Sequence, residues 1–351
     1  TMIRRTNLLP VSRFTPHISR FTFHLSRFAF HVLLALVTLT ACSPVARTPA
    51  QPTPTVYHAP ATPVAYEPPT PLLRPRPQLE PTTVLLLGTD RRSPDSSAGN
   101  TDTLMLFHLD PNGRRVVILS IPRDLYVEIP GHGQARINTA YAWGERDGTG
   151  GLALARQTVS ATLGIPVHHA VLINFDVFVT LIDVIGGVDV AVPYTISDPT
   201  YPDSGTGYDP FHLPAGQHHL DGTTALKYAR TRATPGGDFD RTARQRQLVL
   251  AVRDRVTRFD LLPGLIAQSP QLWSALQTAF ETDLTLGEIV DLAVIASRIP
   301  ADQIVTASID QTCTYFWTTP AGASVLLPDQ EAIEALVADL FAPPPAAASA
   351  H

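Results

Sequence analysis

The hydrophobic pattern predicts an α/β domain that starts at Thr83. Residues 84–87 form a continuous apolar run ending in Gly88-Thr89-Asp90, as expected of a strand buried on both faces. Two further strands are predicted at 104–109 and 116–121, with turn residues at 110–113 between them. These three segments form the start of the predicted sheet.

Helical and extended patterns alternate over the rest of the domain. Apolar residues recur at helical spacing from 151 to 163, and the pattern stops at Gly164 and Pro166. Strands are also predicted at 170–174, 188–192 and 304–309, and helices at 175–185, 221–229, 240–257, 286–299 and 329–341. Because strands alternate with helices, we expect a three-layer α-β-α fold with a central mixed sheet.

The first 42 residues resemble an export signal. Residues 1–27 carry five arginines and no acid, and 29–41 form an apolar run too short to span a bilayer. Leu39-Thr40-Ala41-Cys42 is typical of a bacterial lipobox, so we expect Cys42 to be acylated and to anchor the protein in the membrane. A heptapeptide recurs three times between 12 and 32, and we interpret it as part of an over-extended reading frame.

The segment 43–81 is predicted to be a tether between the membrane and the domain. It holds twelve prolines in 39 residues, which favours a semi-rigid polyproline conformation. The domain itself is expected at 82–341, and the tail at 342–351 is expected to be disordered. With Cys42 acylated, Cys313 has no partner for an intramolecular disulfide.

Arginine supplies nearly all of the positive charge. The chain holds 26 lysine and arginine residues, of which only Lys227 is a lysine, and its formal net charge is −5. Between 227 and 258, nine basic residues stand against three acidic ones. Guanidinium groups suit forked contacts with phosphate or carboxylate. The cluster predicts an anionic partner or a solvated basic face.

The predicted helix at 240–257 places cations where the helix dipole disfavours them. Arg241, Arg244 and Gln245 share one face near its start, and Leu248 with Val249, Val252 and Val256 continues that face as an apolar stripe. Such a face suits a ligand with a phosphate head and a hydrocarbon tail. The alternative is a surface helix whose arginines pair with Asp238 and Asp240.

A second pair of arginines follows the predicted helix at 221–229. Arg230 and Arg232 stand two residues apart, so in extended chain both side chains point the same way. The alternative reading is a favourable contact with the C-terminal end of the helix dipole. If both arginine groups converge, an anion is needed to offset their repulsion, and each charge-assisted contact to phosphate contributes roughly 1.5–3 kcal/mol.

Two aspartates are predicted at one edge of the sheet. Asp90 closes the first strand and Asp102 opens the second, so antiparallel pairing brings both carboxylates to the same end. Such oxygen ligands suit a magnesium ion that also binds substrate phosphate, although strand-end aspartates are equally common as caps and turn formers. Arg123 and Asp124 follow the third strand and are expected at a sheet edge.

Several other function classes are disfavoured. The histidine pairs at 168/169 and 218/219 lack the spacing of a zinc site, and the chain has neither a Gly-x-Ser-x-Gly elbow nor a Gly-x-x-x-x-Gly-Lys loop. The export signal and the net negative charge argue against direct nucleic-acid binding.

Seven ordered motifs between 83 and 257 together resemble the LytR-CpsA-Psr family. These motifs are Gly88-Thr89-Asp90-Arg91, Thr101-Asp102-Thr103, Ser120-Ile121-Pro122-Arg123-Asp124, Arg136-Ile137-Asn138, Ile182-Asp183-Val184-Ile185-Gly186-Gly187-Val188, the segment 220–232 and Asp238-Phe239-Asp240-Arg241 with Arg244-Gln245. One departure is Asn100, which stands where the family usually has an arginine that Arg92 could replace.

The resemblance implies an extracytoplasmic phosphotransferase that moves a glycopolymer, such as teichoic acid or capsule, from polyprenyl pyrophosphate to peptidoglycan. It implies that Asp90 and Asp102 hold Mg²⁺ or Mn²⁺, that Arg123 and Asp124 join them in catalysis, and that an apolar pocket takes the polyprenyl chain. The implied pyrophosphate ligands are Arg91, Arg123, Arg230, Arg232, Arg241, Arg244 and Gln245. The alternatives are a polyprenyl-pyrophosphate carrier and a pyrophosphatase without glycan transfer.

Overall fold

The computed structural model describes residues 80–90, 99–110, 115–203, 207–258, 260–276 and 280–342. The predictions for the signal segment with Cys42, for nearly all of the tether, for Arg91 and Arg92, and for residues 343–351 lie outside these ranges. Within them, no helix is long and apolar enough to cross a membrane.

The described chain forms fourteen strands and eight α-helices. The strands are β1 (Thr82–Thr89), β2 (Thr101–Asp110), β3 (Arg115–Ile121), β4 (Tyr126–Ile129), β5 (Gly133–Arg136), β6 (His169–Asn174), β7 (Val188–Val192), β8 (Ile196–Asp198), β9 (Phe211–Leu213), β10 (Gly216–Leu220), β11 (Phe280–Thr282), β12 (Ile304–Ser308), β13 (Thr314–Thr318) and β14 (Ser324–Pro328). The helices are α1 (Ala140–Asp147), α2 (Gly151–Leu163), α3 (Phe175–Val184), α4 (Gly222–Arg230), α5 (Gly237–Arg258), α6 (Leu262–Leu276), α7 (Leu286–Arg298) and α8 (Gln330–Phe341).

Six strands form a central mixed sheet in the order β11-β6-β1-β2-β3-β12. The neighbours β1 and β2 are antiparallel, as are β2 and β3, whereas β6 runs parallel to β1 and β12 runs parallel to β3. Four two-stranded pairs lie outside this sheet, β4-β5, β7-β10, β8-β9 and β13-β14.

Helices cover both faces of the sheet. Apolar residues of α2 and α8, including Val159 and Ile333, share one buried cluster with Leu85 and Leu87 of β1. The other face carries a second cluster in which Met105 and Ile118 are buried beneath residues of α5 and α7. The expected three-layer arrangement with a mixed sheet is confirmed.

One prediction for β1 is wrong. The strand alternates in burial, since Leu85 and Leu87 are fully buried whereas Val84 and Leu86 are only partly so. The physical reason lies on the second face, where Leu86 borders a cavity instead of meeting a tightly packed helix. The apolar run therefore marks a strand that has a packed face and a face open to a cavity.

The close approach of α3 and α4 fixes where α4 begins. The side chain of Asp221 caps α4 by accepting a hydrogen bond from the backbone N–H of Thr224 at 2.7 Å. A Cβ at Gly222 would lie 2.3 Å from the carbonyl oxygen of Val179, so only glycine fits at this crossing. The helix then ends at Arg230 and the chain continues in extended conformation from Thr231.

Candidate active site

Basic side chains from three parts of the chain converge on one carboxylate, that of Asp238. Its Oδ1 lies 2.9 Å from Arg241 Nη2, 3.2 Å from Arg232 Nε and 3.9 Å from Arg123 Nε. Asp102 forms a second ion pair with Arg123, and its backbone carbonyl accepts a hydrogen bond from Arg241 at 2.8 Å. One arginine of each group, Arg232 and Arg241, therefore meets at Asp238, and the ion pair between Arg241 and Asp238 is a contact that the alternative reading of this helix start predicted.

Arg230 is held by aromatic rings. Its guanidinium lies 4.2 Å from the centre of the Phe175 ring and 5.5 Å from that of Tyr201. Nη1 also donates a hydrogen bond to the Tyr201 hydroxyl at 3.1 Å. These contacts orient the guanidinium without neutralising its charge, so Arg230 remains available to an anion.

Arg244 donates hydrogen bonds to the backbone of the neighbouring loop. Its Nε donates to the carbonyl oxygen of Tyr228 at 2.9 Å, Nη2 donates to that of Thr231, and Nη1 reaches the Thr234 hydroxyl at 3.3 Å. The side chain is buried. Arg244 therefore fixes the loop that carries Arg230 and Arg232, and its sequence-based role as a direct pyrophosphate ligand stays a prediction.

The local electrostatics differ between two arginines of the cluster. Burial lowers the pKa of Arg123, but the carboxylates of Asp102, Asp124 and Asp238 together raise it above its ordinary value. Burial also lowers the pKa of Arg232, and the positive charges of Arg241 and Arg123 lower it further. Arg123 is thus surrounded by three carboxylates, whereas Arg232 shares the carboxylate of Asp238 with Arg123 and Arg241.

Arg230, Arg232 and Arg241 line a cavity of about 450 Å³, here called the charged cavity. Among the described residues, its lining includes Asp102, Thr103, Phe175, Asp198, Thr200, Tyr201, Pro202, Arg230, Thr231, Arg232, Ala233, Arg241 and Gln245. Arg241 Nε is buried and has no hydrogen-bond acceptor among the described residues. An anionic group in this cavity would meet guanidiniums from two chain segments at once.

A second cavity of about 500 Å³, the apolar cavity, adjoins the charged one. It is lined by residues of β1, β2, β6, α3 and α5, including Leu86, Met105, Ile173, Phe178, Leu248, Val249, Val252 and Val256. Thr103, Phe175, Arg230 and Gln245 line both cavities. The expected apolar continuation of the Arg241 helix face therefore borders a cavity that begins where the charged cavity ends.

Asp90 and Asp102 lie at the same end of the β1-β2 pair. Gly88 pairs with Thr103 and Thr89 with Thr101, so Asp102 occupies a bulge beside the end of β1, and Asp90 follows directly. No group of three or more histidine, cysteine, aspartate or glutamate residues that could hold a metal occurs in the described part of the chain. The assignment of Mg²⁺ to Asp90 and Asp102 stays a prediction, since a carboxylate pair suits an ion that keeps several waters and takes its other ligands from substrate phosphate. The Asp102 carboxylate also pairs with Arg123.

Asp124 is separated from the charged cavity by the ion pairs around it. Its carboxylate lies 3.5 Å from Arg123 Nε and 3.2 Å from Arg136 Nε. It lines a third cavity of about 180 Å³, the small cavity, together with Asp238 and Phe239. The small cavity thus meets the arginine cluster from the Asp238 side.

No pattern in the sequence selects Tyr201 or Asp198 as site residues. Tyr201 is buried, and Asp198 accepts a 2.7 Å hydrogen bond from the Thr231 hydroxyl, which fixes the loop after Arg230. Asp198 ends the short strand β8 and Tyr201 follows it, in a segment with no long periodic pattern. Asp238 could have been weighted more heavily, because it stands three residues before Arg241 in a helix start that needs negative charge.

The described residues define a three-layer α/β protein in which an arginine-lined cavity adjoins an apolar one. Residues 61–341 match the model of the LytR_cpsA_psr family, and the chain belongs to that family. The resemblance seen in the seven motifs is confirmed.

The relatives that match the chain include named transferases. The polyisoprenyl-teichoic acid–peptidoglycan teichoic acid transferase TagU of Oceanobacillus iheyensis is 35% identical over 210 residues, which cover 60% of this chain and 61% of that protein. TagU of Bacillus anthracis is 35% identical over 215 residues, 61% of this chain and 64% of the relative. The chain thus spans under two thirds of the length of these relatives.

Solved structures share the fold over a longer stretch. The crystal structure of B. subtilis TagV superposes with a TM-score of 0.60 at 26% identity and covers 76% of this chain and 99% of TagV. The LytR-CPS2A-psr family protein YwtF (TagT) with bound octaprenyl pyrophosphate lipid superposes with a TM-score of 0.53 at 25% identity, over 76% of this chain and 90% of that one.

Proposed function

We propose that this protein is a phosphotransferase that moves a glycopolymer from a polyprenyl-pyrophosphate carrier to peptidoglycan. The observation that carries the proposal is the junction between the charged and the apolar cavity, which share Arg230 and Gln245. A polyprenyl pyrophosphate has a doubly charged head joined to a long hydrocarbon, and this junction matches both halves. The names of the TagU relatives and the lipid bound to TagT support the same substrate class.

Head and tail of the substrate are bound by different physical forces. The pyrophosphate contacts Arg230, Arg232 and Arg241, each contact contributing roughly 1.5–3 kcal/mol. The tail replaces water against aliphatic side chains such as Val249 and Val252, at about 25 cal/mol per Å² of buried apolar area. The head therefore sets the position of the reacting phosphorus, and the tail adds affinity and selects long lipids.

The reaction is a displacement at the phosphorus that bears the glycan. A sugar hydroxyl of peptidoglycan attacks this phosphorus, the bond to the bridging oxygen of the pyrophosphate breaks, and polyprenyl phosphate leaves. The new bond is a phosphodiester, and the hydroxyl proton passes to a base. The arginines stabilise the charge that develops on the phosphoryl oxygens, which is the main contribution a protein makes to this kind of transfer.

Asp90 and Asp102 would hold Mg²⁺ or Mn²⁺, which neutralises phosphate charge when it is bound. The candidates for the base are these two carboxylates and Asp124. Asp124 lies on the small-cavity side of the arginine cluster, whereas Asp102 borders the charged cavity. Separate asparagine variants with full pH–rate profiles would assign this role, because the rate dependence on the acidic side reports the base.

We place this activity on the extracytoplasmic face of the bacterial membrane. The expected lipid anchor at Cys42 and the proline-rich segment 43–81 would hold the domain within reach of both the membrane-borne donor and the wall. Mass spectrometry of the exported protein tests the anchor: a diacylglycerol-modified Cys42 as first residue is expected, and native peptides from residues 5–30 would contradict it.

A transfer assay separates this function from the two alternatives. The full chain is incubated with a polyprenyl-pyrophosphate-linked glycan and peptidoglycan fragments, with and without Mg²⁺. We expect a metal-dependent glycan–peptidoglycan phosphodiester, lost in Asp90→Ala and Arg241→Ala. Release of the glycan phosphate to water alone would identify a pyrophosphatase, and tight binding without turnover a carrier. Full transfer by both variants would end the assignment.

A further inference from the structure

The β13-β14 hairpin places the exposed ring of Phe316 beside the candidate active site. Tyr315, Phe316 and Trp317 follow one another on β13 and are all exposed to solvent, Phe316 by 73%. Because successive side chains of a strand point to opposite faces, Phe316 lies on one face and Tyr315 and Trp317 on the other. Large apolar side chains are seldom left exposed together without a binding role. Aromatic rings with polar neighbours are a surface on which the apolar faces of sugar rings stack.

This hairpin is tied directly to the site. The backbone N–H of Leu326 donates to the carbonyl oxygen of Asp124 at 3.0 Å. Arg136 bridges the two parts, since its Nη2 donates to the carbonyl oxygen of Ser324 at 2.7 Å and its Nε lies 3.2 Å from the Asp124 carboxylate. The hairpin that carries Phe316 is therefore held at a fixed position relative to Asp124.

Phe316 lines the small cavity opposite two carboxylates. Besides Phe316, the lining of this cavity is Pro122, Asp124, Gly236, Asp238, Phe239, Ser324, Val325 and Leu326. It combines an apolar wall with carboxylate acceptors for hydroxyl groups, and its volume of about 180 Å³ suits a single ring, not a polymer. This combination fits a sugar, which has an apolar ring face and a hydroxyl-bearing edge.

The position of the small cavity selects which sugar it binds. Among the described residues, the small cavity shares no lining residue with the apolar cavity. The small cavity borders the arginine cluster at Asp238, whereas the apolar cavity borders it at Arg230. In phosphoryl transfer the attacking and leaving oxygens lie roughly in line. With the polyprenyl phosphate leaving toward the apolar cavity, the nucleophile arrives from the other side.

We infer that the small cavity, with Phe316 of β13 in its wall, binds the acceptor saccharide, the glycan strand of peptidoglycan. This inference rests on the proposed function and adds to it the site of the acceptor. Asp124 and Asp238 accept hydrogen bonds from the sugar hydroxyls, and Phe316 stacks on the ring. The bound sugar then lies next to Asp238, whose carboxylate contacts Arg232 and Arg241.

The test compares Phe316→Ala with Tyr208→Ala in titrations of the full chain. Tyr208 is a matched control because it is 68% exposed and lines none of the three cavities described. The probes are a soluble tetrasaccharide of alternating N-acetylglucosamine and N-acetylmuramic acid, a glycerol phosphate trimer as donor-type polymer, and farnesyl pyrophosphate. We expect Phe316→Ala to weaken tetrasaccharide binding about tenfold, a change of ~1.4 kcal/mol. Phe316→Trp should retain binding, and the other titrations should not change.

Unchanged tetrasaccharide binding by Phe316→Ala overturns the inference. The same holds if the wild type binds no tetrasaccharide, or if the variant loses the glycerol phosphate trimer instead, which would make this a donor surface. These outcomes are distinct from failure of the proposed function, because that failure appears as loss of farnesyl pyrophosphate binding by the wild type. In that case the inference falls with the function on which it rests.

Discussion

Two short arginine segments of this protein use the same side chain in different ways. Arg230 and Arg232, at the end of α4 and in the loop after it, line the charged cavity, and Arg232 is 44% exposed. Arg241 and Arg244, in the first turns of α5, are buried and donate to protein carbonyl or carboxylate oxygens. The difference shows that a basic cluster can stabilise its own framework: Arg244 positions the loop through its carbonyl contacts, whereas Arg230, Arg232 and Arg241 line the charged cavity and are left for the ligand.

The largest expected effect is on catalysis, through Arg230 and Arg232 in the charged cavity. Arg230→Ala and Arg232→Ala should each lower kcat/KM for transfer by a factor of about 10²–10³, because each removes a contact to the charged phosphoryl group. Their free energy of unfolding should change by less than about 1 kcal/mol. Arg298→Ala, which changes an exposed arginine on α7, is the control and should alter neither quantity.

The next largest effect concerns the free energy of unfolding, through the buried Arg244. Arg244→Ala should lower the free energy of unfolding in urea by about 3 kcal/mol, because the carbonyls of Tyr228 and Thr231 lose charge-assisted donors. Arg244→Lys should not restore it, since a lysine lacks the planar fork that reaches both oxygens. Wild-type stability together with lost pyrophosphate binding would instead show that Arg244 is a direct ligand.

A smaller effect is expected in the apolar cavity. Val252→Trp should fill part of this cavity and weaken binding of octaprenyl pyrophosphate about tenfold, or ~1.4 kcal/mol. Dimethylallyl pyrophosphate, whose chain is too short to reach far into the cavity, should bind to both proteins with the same affinity. Equal loss for the two ligands would mean that the substitution disturbs the charged cavity as well.

The smallest effect appears only in alkali. Burial raises the pKa of Tyr228 from 10.0 to about 12, so the folded state retains a proton that the unfolded state loses. This contribution to stability is complete below pH 10 and is lost as the pH rises towards 12. Tyr228→Phe should therefore flatten the decline in unfolding free energy over this range, with Tyr208→Phe as an exposed control. An unchanged decline would show that Tyr228 ionises normally in the folded protein.

Most of the layered fold could be predicted because its elements carry strong local signals. The helix predicted at 240–257 is Gly237–Arg258, and the strand predicted at 188–192 matches β7. The β4-β5 and β13-β14 hairpins were not predicted, since their short strands have no long alternating pattern. Burial of β1 on both faces was predicted wrongly, because a continuous apolar run does not reveal whether its second face meets a helix or a cavity.

The candidate site was likewise predictable only in part. Charge clustering and helical spacing were enough to predict that Arg230, Arg232 and Arg241 lie beside an apolar stripe. The structural role of Arg244 depends on the path of the 231–234 loop, and that of Tyr201 depends on a long-range contact with Arg230. Such contacts arise only after the chain has folded, so no local pattern encodes them.

The most direct test of the central claim is a crystal structure of the protein with octaprenyl pyrophosphate. We expect the pyrophosphate to lie within hydrogen-bond distance of Arg230, Arg232 and Arg241. The hydrocarbon should run past Gln245 between Leu248 and Val252. A lipid chain lying outside the apolar cavity, or a pyrophosphate bound away from these three guanidiniums, would contradict it.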